Sequence, residues 1–215
     1  MGVRRALGPA LMAALVLVAG APARAGPGVD EPGRFDYYVL ALSWSPTFCE
    51  SHPADRAECG KRRGFVVHGL WPQYAGGGGP EYCGDAATPD AETMERALSA
   101  MPDPRLVRHE WSAHGSCSGL APHDYFLAMI RATARLAIPP EFDGEAPHSL
   151  TAAQIVSAFV QANPSLTQRS LALRCRGPEL EEVRICLSRD LRPQPCGREV
   201  RTRCRAGPLT VGVVH

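Results

Sequence analysis

The sequence predicts an α+β fold: a central, mainly antiparallel sheet with several helices packed against it, braced by disulfides. Three observations predict it. Helix-period stretches cluster in the middle of the chain, strand-like stretches lie at both ends, and no β-α-β alternation links them. The third observation is cysteine usage. Cys49, Cys59, Cys83, Cys117, Cys175, Cys186, Cys196 and Cys204 make an even set of 8, which suits disulfides formed in an oxidising compartment. No Cys-x-x-Cys pair occurs, which argues against a structural zinc site. Spacing alone does not choose among the pairings.

The first 25 residues read as a secretory signal. Arg4 and Arg5 supply the basic start, Leu11 to Ala19 the apolar core, and Ala23-Arg24-Ala25 a small-x-small cleavage site. The apolar run is too short for a bilayer core of about 30 Å, and no later segment is apolar for long enough. A secreted or periplasmic location is expected, with one domain over residues 26–215. Cleavage would remove three arginines and no acids, taking the formal charge from +1 to −2. A slightly acidic protein does not coat polyanions through its global charge, so any nucleic acid must be held in a local groove.

The elements follow in order. Residues 26–34, rich in Gly and Pro, predict a loose arm. Phe35 to Trp44 is dense in aromatic and aliphatic residues and predicts a buried strand, which Pro46 ends. Residues 49–63 predict a polar loop in which Lys61-Arg62-Arg63 is solvated. Gly64 to Val67 predicts a short strand with His68 at its end, and Leu70, Trp71 and Pro72 leaving it. Gly76 to Gly79 predicts a mobile loop. It lacks the Lys-Ser/Thr of a phosphate-cradling loop. Residues 89–100 have helical spacing at Met94, Ala97 and Leu98. A second helix is expected to start near Asp103 with Pro104 in its first turn. A third covers 122–136, with Tyr125, Phe126, Met129 and Ile130 on one face. A fourth, introduced by Ser149-Leu150-Thr151, reaches about residue 161. Strands follow at 171–175, 183–187 and 209–214. In the second of these Val183, Ile185 and Leu187 alternate with Glu182, Arg184 and Cys186, as for one buried face.

The densest chemistry lies in His109-Glu110-Trp111-Ser112-Ala113-His114-Gly115-Ser116-Cys117. If residues 104–115 are helical, Glu110, His114 and Cys117 form one stripe, Val107 and Trp111 a core stripe beside it, and His109 flanks them. A zinc protease needs two histidines four apart. Here they are five apart, about 140° round a helix. The zinc deaminase signature is missing, as is the Gly-x-Ser-x-Gly of a serine hydrolase. Core and surface histidines with no role are a poor account of three histidines and a glutamate in two dense segments, and a metal-dependent phosphoesterase using the same histidines stays open.

Together, the stretches FVVHGLWP (65–72) and HEWSAHGSC (109–117) resemble the two active-site segments of the ribonuclease T2 family. They occur in the family's order, about forty residues apart. VRICLSRDLRPQPC (183–196) is similar to its C-terminal strand and turn, and the resemblance runs from about Phe35 to at least Cys204. It implies a secreted acid endoribonuclease that cleaves single-stranded RNA without metal or cofactor. The 2′-hydroxyl attacks phosphorus, leaving a 2′,3′-cyclic phosphate that is then hydrolysed. By position, His114 would be the base, His68 the acid, Glu110 a transition-state stabiliser and His109 a phosphate ligand. Trp71 and Tyr74 would stack a base, while Gln73 stands where some members carry a base-reading acid. The resemblance also implies disulfides Cys49–Cys59, Cys83–Cys117, Cys175–Cys204 and Cys186–Cys196. No obligatory protein partner is expected, and the enzyme is expected to be a monomer. One departure matters: the family usually has lysine immediately before the second histidine, where this chain has Ala113. Arg108 is the nearby candidate to supply the missing cation. Failing that, turnover should be lower, and a weakly catalytic RNA-binding relative is the rival reading.

Overall fold

The computed structural model describes residues 1–2, 30–84, 87–144 and 146–214. The expected signal therefore falls outside the described residues, apart from Met1 and Gly2. The strands are β1 (Tyr37–Trp44), β2 (Phe65–Gln73), β3 (His148–Thr151), β4 (Leu171–Arg176), β5 (Glu179–Leu187) and β6 (Pro208–Val211). They form one sheet of order β2-β1-β5-β6-β3, with β4 also paired to β5. Every ladder is antiparallel except the short β5–β6 contact. The helices are α1 (Ser45–Ser51), α2 (Ala91–Ala97), α3 (Pro104–Ala113), α4 (Pro122–Ala134) and α5 (Ala152–Ala162). The α+β expectation holds, and all four implied disulfides are present.

The central strand β1 lies between β2 and β5 and is buried on both faces. That explains why its sequence is apolar throughout rather than alternating. One face presents Tyr38, Leu40, Leu42 and Trp44 to the main core. There they join Val183, Ile185 and Leu187 of β5 and the helix residues Trp111, Tyr125, Phe126, Met129, Ile155 and Phe159. Each fully buried large side chain of this kind contributes about 1.5–3 kcal/mol of transfer free energy. The opposite face carries a smaller cluster, Tyr37, Val39 and Cys186, with Trp71 packed against it.

Strand β2 differs from expectation. It does not stop at Val67 but continues to Gln73, so His68 lies inside a strand. Ala41 pairs with Gly69 and Leu42 with Val67, so β2 advances two residues while β1 advances one. His68 is the extra residue of this bulge. Strict alternation would put Val67 and Leu70 on opposite faces, whereas here both reach the main core. The bulge re-aims the strand and frees His68 from the pairing, a common device beside active sites.

Other boundaries follow from capping. Asp103 caps α3 by accepting the Arg105 N–H, with Pro104 in the first turn, as expected. Asp90 caps α2 through the Thr93 N–H. Thr151 and Gln154 form a capping box on α5; the residues before it, read as a helix lead-in, are strand β3. Pro46 does end β1, by occupying the first turn of α1, a helix that was not expected and that runs into the loop expected from residue 49. The glycine run is also more organised than expected. The Tyr74 N–H donates to the Gly78 carbonyl at 2.9 Å, and Glu199 accepts the Gly78 N–H at 3.0 Å.

Candidate active site

His68 projects from the β2 bulge with about two-fifths of its side chain exposed (38%). Its Nδ1–H donates to Glu182 Oε1 at 2.8 Å, and Glu182 is itself paired with Arg184 of the same strand. Its Nε2 lies 3.6 Å from Glu110 Oε1. Burial pulls the imidazole pKa down, but the hydrogen bond to Glu182 and the charges of Glu110 and Glu182 outweigh it, so the pKa is raised. Glu182 moves the other way. Its burial opposes ionisation, yet His68 and Arg184 together hold its carboxyl below the usual range.

Glu110, on the inner face of α3, is 1% exposed. Its Oε2 accepts the Trp71 indole N–H at 2.7 Å. Burial pushes its pKa up to about 7, against the opposing pull of His68 and the Trp71 hydrogen bond. The space for this contact exists because residue 69 is glycine. A Cβ there would collide with Glu110 Oε2 and Trp71 Nε1. The His-Gly-Leu-Trp order thus places an imidazole, an open passage and an indole donor on one side of β2.

His114 is not part of a continuous helix. α3 ends at Ala113, and His114 is its C-cap with φ −124° and ψ −46°. Gly115 follows, packed so closely that a Cβ would strike the Trp111 and Tyr125 rings. The expected Glu110–His114–Cys117 stripe is therefore broken: Cys117 is fully buried in its disulfide while His114 is half-buried with its ring near Trp71. The same break brings the rings of His109 and His114 to 6.4 Å between centroids, although five residues on an unbroken helix would separate them by about 140°. Burial, and then the charges of His109 and His68, pull the His114 pKa down to about 4. Its Nδ1 is buried with no hydrogen-bond partner among the described residues.

Trp71 stands between the two histidines, 5.1 Å from the His68 ring and 5.5 Å from that of His114. Two clefts meet at His68. One, of about 350 Å³, is bounded by Phe48, Glu58, Asp103, Leu106 and His109. The other, of about 270 Å³, is bounded by His52, Arg174, Glu181, Glu182 and Arg184. Among the described residues no group of three or more His, Cys, Asp or Glu side chains converges as a metal site would.

The sequence profile of the Ribonuclease T2 family matches residues 35–196, most of the chain. The chain belongs to the ribonuclease T2 family. A ribonuclease of Aeromonas hydrophila is 40% identical over 167 residues, covering 74% of this chain and 75% of that one. Among solved structures, an RNase-related protein from Calystegia sepium superposes with TM-score 0.69 at 25% identity, covering 84% of this chain and 98% of that one. A mutant of RNase MC1 crystallised with 5′-UMP shares the fold, with TM-score 0.67 at 23% identity over 81% of this chain and 97% of that one.

This T2 ribonuclease is an endoribonuclease. Of its sequence-predicted site residues, His68, Glu110, His114 and Trp71 are brought together by direct contacts, and His109 borders the same cleft as His68. Tyr74 is not. Its hydroxyl donates to Asp30 at 3.1 Å, and no described contact joins it to the histidines. Ala113 is buried, 2% exposed, with its carbonyl accepting the Tyr82 N–H. Arg108 is exposed, and no described contact takes it to the histidines. Arg184 is linked to the site instead: its guanidinium lies 4.9 Å from the Trp71 ring centroid and pairs with Glu182, which holds His68. Sequence reasoning missed Glu182 and Arg184 as site residues. The signal was present in β5, where an acid and a base alternate with core residues on a strand whose outer face was taken for solvent.

Proposed function

We propose that this enzyme cleaves single-stranded RNA without metal, by transphosphorylation to a 2′,3′-cyclic phosphate followed by slower hydrolysis to a 3′-phosphate. The observation that carries this reading is the opposite bias on its two histidines. Environments that push like groups apart assign the acid and the base. Over the acid range above about pH 4, His114 is neutral, while the raised pKa of His68 keeps it protonated further up the scale than an ordinary imidazole. His114 Nε2 takes the 2′-hydroxyl proton as O2′ bonds to phosphorus. His68 Nε2–H gives its proton to the departing O5′, and the P–O5′ bond breaks. In hydrolysis the roles reverse: His68 takes a proton from water as its oxygen bonds to phosphorus, the P–O2′ bond breaks, and His114 gives a proton to O2′. Glu182 holds the His68 Nδ1–H throughout, which fixes the tautomer and steadies the imidazolium.

Glu110, protonated through much of this range, donates to a phosphoryl oxygen of the phosphorane, the moment at which charge builds. His109 binds the same phosphate from the cleft edge. The cation that Ala113 does not supply comes from Arg184. Trp71 is held by Glu110 and Arg184, so its first role is to position Glu110, and a base stacks only on the ring area they leave. The disulfides and the signal-like start favour a secreted or periplasmic enzyme that acts as a monomer.

The test is RNA cleavage by the purified mature protein, with and without EDTA, beside a 2′-deoxy strand of the same sequence. Cyclic-phosphate ends, insensitivity to EDTA and an intact deoxy strand are expected. Loss of activity in EDTA, or cutting of the deoxy strand, would overturn the mechanism.

A further inference from the structure

Four arginines lead away from the reacting centre along the outer face of the sheet. Arg174 and Arg184 line the cleft that contains His68 and Glu182. The same two arginines line a neighbouring cleft of about 170 Å³, whose walls include Gln73, Gly78, Glu199, Arg201 and Arg203. The two clefts therefore share a wall of two guanidinium groups.

The backbone builds this line. β4 and β5 pair Arg174 with Glu182 and Ala172 with Arg184. Leu173 turns to the core, so Arg174 turns to the face that carries the site. Arg203 bridges Arg174, its N–H donating to the Leu173 carbonyl at 2.9 Å. Disulfide Cys175–Cys204 ties the same two segments one residue further on. Thr202 accepts the Leu173 N–H at 3.2 Å. Arg201 and Arg203 are exposed but sit on an anchored segment.

The charges on this face are unevenly matched. Arg184 is paired with Glu182, and Arg176 with Glu50 and Glu179. Among the described residues no ion pair engages Arg174, Arg201 or Arg203. Of the carboxylates in the two clefts, Glu182 is paired, Glu199 accepts the Gly78 N–H, and Glu181 remains. The whole sequence has a formal charge of only +1, so this line is a local concentration rather than part of a basic surface. The second cleft is smaller than the pockets that enclose drug-sized ligands, about 300–1,000 Å³. Its guanidinium lining suits a phosphodiester, whose oxygens match the arginine fork.

We propose that Arg174, Arg201 and Arg203 form a phosphate track for the RNA backbone beyond the scissile phosphate. The track makes the enzyme favour chains of several nucleotides over dinucleotides. This rests on the endoribonuclease reading of the His68–His114 site. The test uses the full mature protein and its R201A/R203A variant. The probe is a single-stranded DNA of roughly ten nucleotides, within the span that single-strand grooves accommodate, which lacks the 2′-hydroxyl needed for cleavage. Binding is measured across a salt series. The variant is expected to bind about 10-fold more weakly at low salt. Its slope of log affinity against log salt should shrink by about 1.4, some 0.7 for each lost single-strand phosphate contact. The ratio of kcat/KM on an RNA of the same length to that on a dinucleotide should fall by about 10-fold as well. Wild-type affinity and slope in the variant would overturn the track, whatever happens to cleavage. A wild-type protein that binds the DNA and loses affinity on substitution, yet cuts no RNA, would sink the catalytic assignment and uphold the track.

Discussion

His68 and His114 are the same residue type in two differently built regions. His68 stands on a strand bulge with a carboxyl group on each side, the ionised Glu182 at 2.8 Å and Glu110 at 3.6 Å. His114 stands at a broken helix end, its nearest charged neighbours are histidines, and its Nδ1 has no partner among the described residues. Carboxylates favour an imidazolium, whereas burial beside other cations disfavours it. One site therefore stores a proton and the other refuses one. The proposed division of labour rests on the surroundings rather than on the imidazoles.

The strongest way to break this comparison is to remove either ring. His68→Ala and His114→Ala should each lower kcat/KM on RNA by about 10²–10⁴, the usual worth of one proton-transfer group. A variant of either kind with the wild-type rate would show that the two residues do not form the acid–base pair.

A smaller effect should follow from leaving the rings and changing what holds them. The kcat/KM of the wild-type enzyme should fall below about pH 4 as His114 gains a proton, and again on the alkaline side as Glu110, with a pKa of about 7, and His68, whose pKa is raised, lose theirs. Glu182→Gln removes the charge that raises the His68 pKa. The alkaline limb should then move to lower pH, with about a tenfold loss near neutrality, less than removal of the proton carrier costs. NMR titration of His68 should show its pKa falling in step. An unmoved alkaline limb and an unmoved His68 titration would reduce Glu182 to a structural contact.

The smallest effect concerns stability. The folded-state pKa of His114 is lowered to about 4, below the 6.5 or so of an unfolded chain. Below that unfolded value the unfolded state binds the proton that the folded state refuses, so His114 costs stability as pH falls from about 6.5 towards 4. His114→Gln should therefore raise Tm at pH 5 by about 2–4 °C, on the scale of 1 kcal/mol in a protein of this size. The gain should vanish by pH 8. A gain of equal size at both values would mean that packing, not protonation, sets the effect.

Much of this was legible locally. The unbroken apolar run of β1 announced a buried strand, and Asp103-Pro104 announced the start of α3. The core stripe of Val107 and Trp111 was also readable, because helical period and capping act within a few residues. The errors lie where a long-range contact overrides a local rule. His68 was expected at a strand end because a bulge needs the partner strand to define it. His114 was expected on a helical stripe because the packing of Gly115 against Trp111 and Tyr125 lies partly outside the segment. Tyr74 was paired with the site by its place after β2, but its hydroxyl bonds to Asp30 in the N-terminal arm.

By itself, the sequence determined the kind of chemistry available. Two histidine-bearing segments, a carboxyl beside them and eight cysteines are properties of residue type and order. The tertiary structure alone decided which histidine is biased towards which proton state. That bias comes from Glu182, 114 positions from His68, and from the burial of a helix end. Electrostatic fields and desolvation depend on distance through space, and no local pattern records them.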